Sequence, residues 1–156
     1  MQKSISATKY AIVVSQYNES ITEKLLQGAL KTLAENQIDR NAVEVARVPG
    51  AWEIPLAAKW LADVRPGFAG IIALGVVIKG ETTHDEHINR FVTMSLGQIS
   101  LDSGVPIALG VLTCNTLQQA VERAGGKAGN KGEEAAQAVL EMASLRARFT
   151  SQLAHP

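Results

Sequence analysis

The chain has 156 residues, enough for one domain with a sizeable core. Lysine plus arginine and aspartate plus glutamate both number 15, so the net charge is zero and the usual electrostatic drive toward nucleic acid or an anionic membrane is missing. The one cysteine, Cys114, cannot close an internal disulfide, no charged-then-apolar leader is present, and no apolar run approaches the ~20 residues that span a bilayer, so a cytoplasmic location is expected.

Short apolar runs alternate with segments of helical period. Tyr10–Ser15 reads as a first strand. A helix is predicted from about Ser20, with Ser20 and Glu23 at capping-box spacing. Ile21, Leu25, Ala29 and Leu33 share one face, joined by Leu26 and Leu30. Val43–Val48 is a second strand, ended by Pro49-Gly50. A short helix begins near Trp52, with Pro55 tolerable only in its first turn, and Arg65-Pro66-Gly67 closes it. The run from Ile71 carries no charge until Lys79, as in a strand buried on both faces. The next helix is predicted from about His84 to Ser103, with Ile88, Val92, Leu96 and Ile99 inward and Gly104 as its C-cap. Pro106 to Leu112 is the fourth strand, and Thr116 with Gln119 opens a short helix that stops at Gly125-Gly126. The last helix, from about Lys131 to Phe149, is expected to bury Ala135, Val139, Met142 and Ala143. It holds Arg146 and Arg148 near its C-terminus, where the helix dipole favours cations.

This alternation predicts one α/β domain over residues 10–149, a four-stranded parallel sheet with helices on both faces and right-handed crossovers. A polar arm, 1–9, precedes it and a tail, 150–156, follows. So small a sheet has exposed edges, and the arm is a candidate to pair with one, including that of a neighbouring subunit.

Ligands of open parallel sheets sit beyond the carboxyl ends of the strands. Tyr17-Asn18, Gly50–Glu53, Gly80–His84 and Cys114-Asn115 follow the four strands, so these loops are expected to converge. His84 is the natural acid/base group there, against a purely structural role at a helix start. His84-x-x-His87 lacks further converging ligands, and no metal is expected. Gly80-Glu81-Thr82-Thr83 precedes a helix and suits phosphate. Arg123 and Lys131, within the glycine-rich stretch 122–132, either supply opposing charge or form a solvated surface pair. Tyr17 and Trp52 either stack on a flat heterocycle or belong to the core. Glu53 either accepts from hydroxyls or serves its helix terminus. Cys114 is either a nucleophile with His84 as base or inert packing.

Tyr17-Asn18, Val48-Pro-Gly-Ala-Trp-Glu-Ile-Pro-Leu-Ala-Ala-Lys59, Gly75-Val-Val-Ile-Lys-Gly-Glu-Thr-Thr-His84 and Gly110-Val-Leu-Thr113 continuing through Gly132 stand in order across nearly the whole chain. Together they resemble the 6,7-dimethyl-8-ribityllumazine synthase family. The resemblance implies a flavodoxin-like three-layer sandwich and the penultimate step of riboflavin biosynthesis. In that step 5-amino-6-(D-ribitylamino)uracil condenses with 3,4-dihydroxy-2-butanone 4-phosphate, releasing phosphate and water, without metal or organic cofactor.

The resemblance also implies residue roles. Tyr17 stacks on the pyrimidine, while Ala51, Trp52 and Glu53 hold its ring and ribityl chain. Val76, Val77 and Ile78 line the pyrimidine pocket, with Leu109 in its wall. Glu81 and Thr82 belong to the butanone-phosphate loop, Arg123 binds the phosphate with Lys131 in support, and His84 transfers protons with Glu134 as its acidic partner. The implied assembly is a pentamer whose sites are shared between adjacent subunits. The compact connection 125–132 further implies a 60-subunit icosahedral shell, with riboflavin synthase as a candidate protein partner. Three positions depart from the family pattern: Tyr17 replaces phenylalanine or tryptophan, Leu109 replaces phenylalanine, and Cys114 replaces threonine. A non-catalytic flavin- or lumazine-holding module would give no reason for His84 beside the stacking residues, and either it or a shell protein with a vestigial pocket would show binding or assembly without turnover.

Overall fold

Six buried residues, Tyr10–Ser15 (β1), set the layering of the computed structural model, which describes residues 8–154. Tyr10, Ile12 and Val14 enter one apolar cluster, and Ala11 and Val13 enter another. That division is the period-2 alternation of a strand between two covering layers. Gly70–Ile78 (β3) divides the same way, with Ile72, Leu74 and Val76 on one side and Ile71, Ala73 and Val77 on the other. Val43–Val48 (β2) and Ile107–Cys114 (β4) complete a sheet of order β2-β1-β3-β4, with every pair parallel.

Three helices close the first cluster: α1 (Glu19–Glu35), α4 (Leu117–Arg123) and α5 (Lys131–Ala154). Two close the second: α2 (Ile54–Ala62) and α3 (His84–Ser103). The result is the expected flavodoxin-like three-layer sandwich. Among the described residues no helix is long and apolar enough to cross a membrane.

Several local expectations are corrected. The Ser20–Glu23 capping box does not form, because α1 starts one residue before Ser20 from Asn18 in a left-handed conformation (φ 58°). Glu23 instead accepts from Arg47 of β2 (2.9 Å) and from Gln27 (3.0 Å), tying helix to sheet. In α5 the buried stripe is Ala135, Ala136, Val139 and Ala143, whereas Met142 lies off that stripe and is 51% exposed. This helix continues to Ala154, so Arg146 and Arg148 do not stand in its last turn, and Arg148 lies over the Phe149 ring instead (5.2 Å). The fourth strand runs two residues beyond Leu112, to Cys114. The proposed edge pairing of 1–9 falls mostly outside the described residues; within them, Lys9 carbonyl accepts from Ala69 N (2.7 Å) beside the central strands.

The glycine-rich stretch has a packing cause. Ala124–Gly126 (β5) and Gly129–Asn130 (β6) form a small antiparallel hairpin, with Gly129 at φ 84°. Asn130 then caps α5: its Oδ1 accepts from Gly132 N (2.8 Å) and Glu133 N (3.3 Å), while its Nδ2 donates to Lys24 carbonyl in α1 (3.0 Å). A Cβ on Gly132 would collide with the Leu25 carbonyl, so only glycine lets α5 start against α1 at this distance.

Candidate functional site

The chain leaves β1 toward β2 and leaves β3 toward β4, so the β1/β3 boundary is the topological switch point of the sheet. A cavity of about 480 Å³ opens there, within the size range of small-molecule sites. The loop after β1 contributes Tyr17 and Asn18, and the loop after β2 contributes Gly50, Ala51, Trp52 and Glu53. Val76, Val77 and Ile78 form its floor at the end of β3. Gly80, Thr82, His84, Asp85 and Ile88 close it from the following turn and α3. Nine of the sequence-predicted residues therefore meet in one chain: Tyr17, Ala51, Trp52, Glu53, Val76, Val77, Ile78, Thr82 and His84.

Local hydrogen bonds draw these loops together. Gln16 N donates to Val48 carbonyl (2.8 Å) and Tyr17 N to Pro49 carbonyl (3.0 Å), pinning the exit of β1 to that of β2. Gly50 N donates to Glu53 Oε2 (3.0 Å), so Glu53 braces its own turn with one oxygen. Thr82 Oγ1 accepts from His84 N (3.3 Å) at the start of α3. The two aromatics are not core: Tyr17 is 73% exposed and Trp52 is 52% exposed. Trp52 stacks on Phe91 of α3, with ring centroids 3.9 Å apart and planes 30° apart.

Other candidates lie elsewhere. Cys114-Asn115 does not line this cavity: Asn115 N is turned to Gln119 Oε1 (2.8 Å), at the start of α4. Burial pushes the Cys114 thiol above its ordinary pKa, with Arg123 acting in the other direction, which counts against the thiolate that the nucleophile reading needs. Glu81 is exposed outside the lining, and Leu109, 44% exposed, stands on β4. Arg123, Lys131 and Glu134 line a second cavity of about 370 Å³, with Thr113 and Ala128. Arg123 Nη1 donates to Gln119 carbonyl there (3.3 Å). Tyr17, Trp52 and His84 thus line one cavity of the chain, and Arg123 and Lys131 another. Among the described residues no group of three or more His, Cys, Asp or Glu side chains is arranged to hold a metal ion.

The family model of 6,7-dimethyl-8-ribityllumazine synthase matches residues 7–147, nearly the whole chain. The chain belongs to this family. It is accordingly a transferase of riboflavin biosynthesis acting on small-molecule substrates. Asn18, Gly50 and Gly80 line the cavity as members of the loops expected to converge, whereas Asp85 and Phe91 join the site or its support without having been given a role there from sequence. The periodicity of α3 gave a signal for Ile88 as an inward residue, but nothing in it distinguishes Asp85 from an ordinary first-turn acid.

Proposed function

We propose that the chain condenses 5-amino-6-(D-ribitylamino)uracil with 3,4-dihydroxy-2-butanone 4-phosphate to give 6,7-dimethyl-8-ribityllumazine, phosphate and water, as the penultimate step of riboflavin biosynthesis. The observation that carries this reading is the cavity at the β1/β3 switch point, where exposed aromatics, a hydroxyl acceptor and a histidine meet. Tyr17 stacks on the pyrimidine, with Trp52 alongside, and Glu53 Oε1 accepts from the ribityl chain. The Val76–Ile78 backbone faces the ring edge. The ring's amine attacks the ketone and expels water to give an imine, and phosphate leaves by elimination. The second nitrogen then closes the new ring on the remaining carbonyl with loss of a second water. His84 moves protons in these steps, and holding both partners in one cavity supplies much of the acceleration.

The phosphate is held by Thr82 and the turn containing Glu81 on one side, and by Arg123 and Lys131 on the other. These cations line a separate cavity in the single chain, which supports completion of each site by a neighbouring subunit. Leu109 and Glu134 come with them, Leu109 as a pocket wall and Glu134 as a partner for His84. The assembly we infer is a cytoplasmic pentamer, and further a 60-subunit shell able to associate with riboflavin synthase. The short hairpin between α4 and α5, pinned to α1 through Asn130, supports the shell because it adds little bulk between pentamers.

Mixing wild-type protein with both substrates tests the reaction, through lumazine absorbance and phosphate release. Light scattering and electron microscopy test the assembly. Hollow 60-subunit particles are expected, and pentamers alone over a broad concentration range would refute the shell without touching the enzyme.

A further inference from the structure

We propose that Asp85 is a specificity-determining contact for the donor-rich pyrimidine substrate, held in position by Asn89; this rests on the reaction proposed above. Asp85 lines the cavity beside His84, across from the loop of Trp52 and Glu53. Its Oδ1 is withdrawn from water with no hydrogen-bond partner, and so is Asn89 Oδ1, four residues later on the same face of α3. Turning the Asn89 amide over exchanges its buried Oδ1 for Nδ2, a donor at the i,i+4 spacing from which it can bond the Asp85 carboxylate. That bond uses one of about four lone-pair sites on Asp85 and fixes its rotamer. Oδ2 is then the oxygen left to accept from a molecule in the cavity.

The charge decides which molecule. A carboxylate at the wall accepts from amines, ring N–H groups and hydroxyls, all of which the aminopyrimidine carries. It repels an anionic phosphate. Asp85 and Glu53 thus line the cavity with two donor-recognising carboxylates, leaving phosphate to Thr82 and the cations. The competing explanation is that Asp85 only favours the positive end of α3, a role open equally to Glu86, which is exposed and outside the cavity.

The test compares Asp85→Ala, Asp85→Asn, Asn89→Ala and the control Glu86→Gln by steady-state kinetics with each substrate varied in turn, and by calorimetric binding of the aminopyrimidine. Asp85→Ala is expected to raise KM and Kd for the aminopyrimidine about 10- to 100-fold, the loss of a charge-assisted hydrogen bond, while KM for the butanone phosphate stays level or falls. Asp85→Asn, which keeps an acceptor oxygen, recovers part of the loss. Asn89→Ala gives a smaller loss, about 3-fold, with the same split between substrates. Glu86→Gln leaves both constants unchanged. Wild-type turnover with Asp85→Ala constants matching those of Glu86→Gln would overturn the assignment and leave the reaction standing. Wild-type protein that binds the aminopyrimidine without turnover would sink the reaction, and Asp85 would still be decided by the binding series. Wild-type protein that neither binds nor reacts overturns both.

Discussion

Trp52 and Phe91 stack face to face, 3.9 Å between centroids, across the junction of the second strand's loop and α3. The pair fixes one wall of the cavity, because Trp52 comes from a loop and Phe91 from a regular helix. Aromatic pairs contribute about 0.5–1.5 kcal/mol beyond their burial. Phe91→Ala is therefore expected to loosen Trp52 and weaken aminopyrimidine binding about 3- to 10-fold. In a Trp60→Phe background Trp52 is the only remaining tryptophan, so its fluorescence anisotropy reports the loosening directly. Unchanged anisotropy and affinity would remove Phe91 from the site's support.

His84→Ala is expected to fold and assemble normally and to slow single-turnover product formation by about 100-fold, the lower end of general acid–base contributions. Residual turnover follows from the two partners still being held together. A single-turnover rate equal to wild type at neutral pH would exclude His84 from proton transfer.

Arg123→Ala tests the second cavity. Losing charge-assisted bonds to phosphate, about 1.5–3 kcal/mol each, is expected to cost 10- to 100-fold or more in use of the phosphorylated substrate. Pyrimidine affinity is expected to stay near wild type. Equal losses for both substrates would instead mark Arg123 as structural, through its bond to Gln119 carbonyl.

Cys114 is expected to be chemically quiet. Its thiol is buried and titrates above the ordinary range, so the thiolate fraction at pH 7 is below that of a free cysteine. Raising pH increases the thiolate, so alkylation by iodoacetamide is expected to be slow at pH 7 and to accelerate at a higher pH than for a free cysteine. Cys114→Ala is expected to leave turnover within about 2-fold, within the scatter of a side chain that touches no reacting group. Rapid alkylation at neutral pH with matching loss of activity would revive the thiol as a participant.

Asn130→Ala is expected to lower stability by about 1–2 kcal/mol, since it removes the N-cap of α5 and the bond to Lys24 carbonyl together. A melting temperature equal to wild type would show that α5 needs neither.

The four strands and the inward face of α3 were legible because burial imposes period 2 or period 3.6 directly on the residues. The β1/β3 site was legible for the same reason: once the strands are placed, parallel order brings Tyr17, Trp52, Thr82 and His84 to one edge. Helix termini were less so. Ser20 and Glu23 have capping-box spacing, but Asn18 in the left-handed region starts α1 earlier and Arg47 captures Glu23. The stretch around Asn130 carries its sequence signal in Arg123 and Lys131, whereas Gly132 answers to the approach of α5 to Leu25, a tertiary demand with no local signature. Asp85 and Glu86 look alike in sequence, and only the cavity separates them.

The most direct measurement is a continuous assay of wild-type protein with both substrates, following lumazine absorbance and phosphate together. The predicted result is one lumazine formed per phosphate released, at a rate proportional to protein and above the spontaneous reaction. Bound aminopyrimidine with no increase in either signal over the protein-free control would contradict the account.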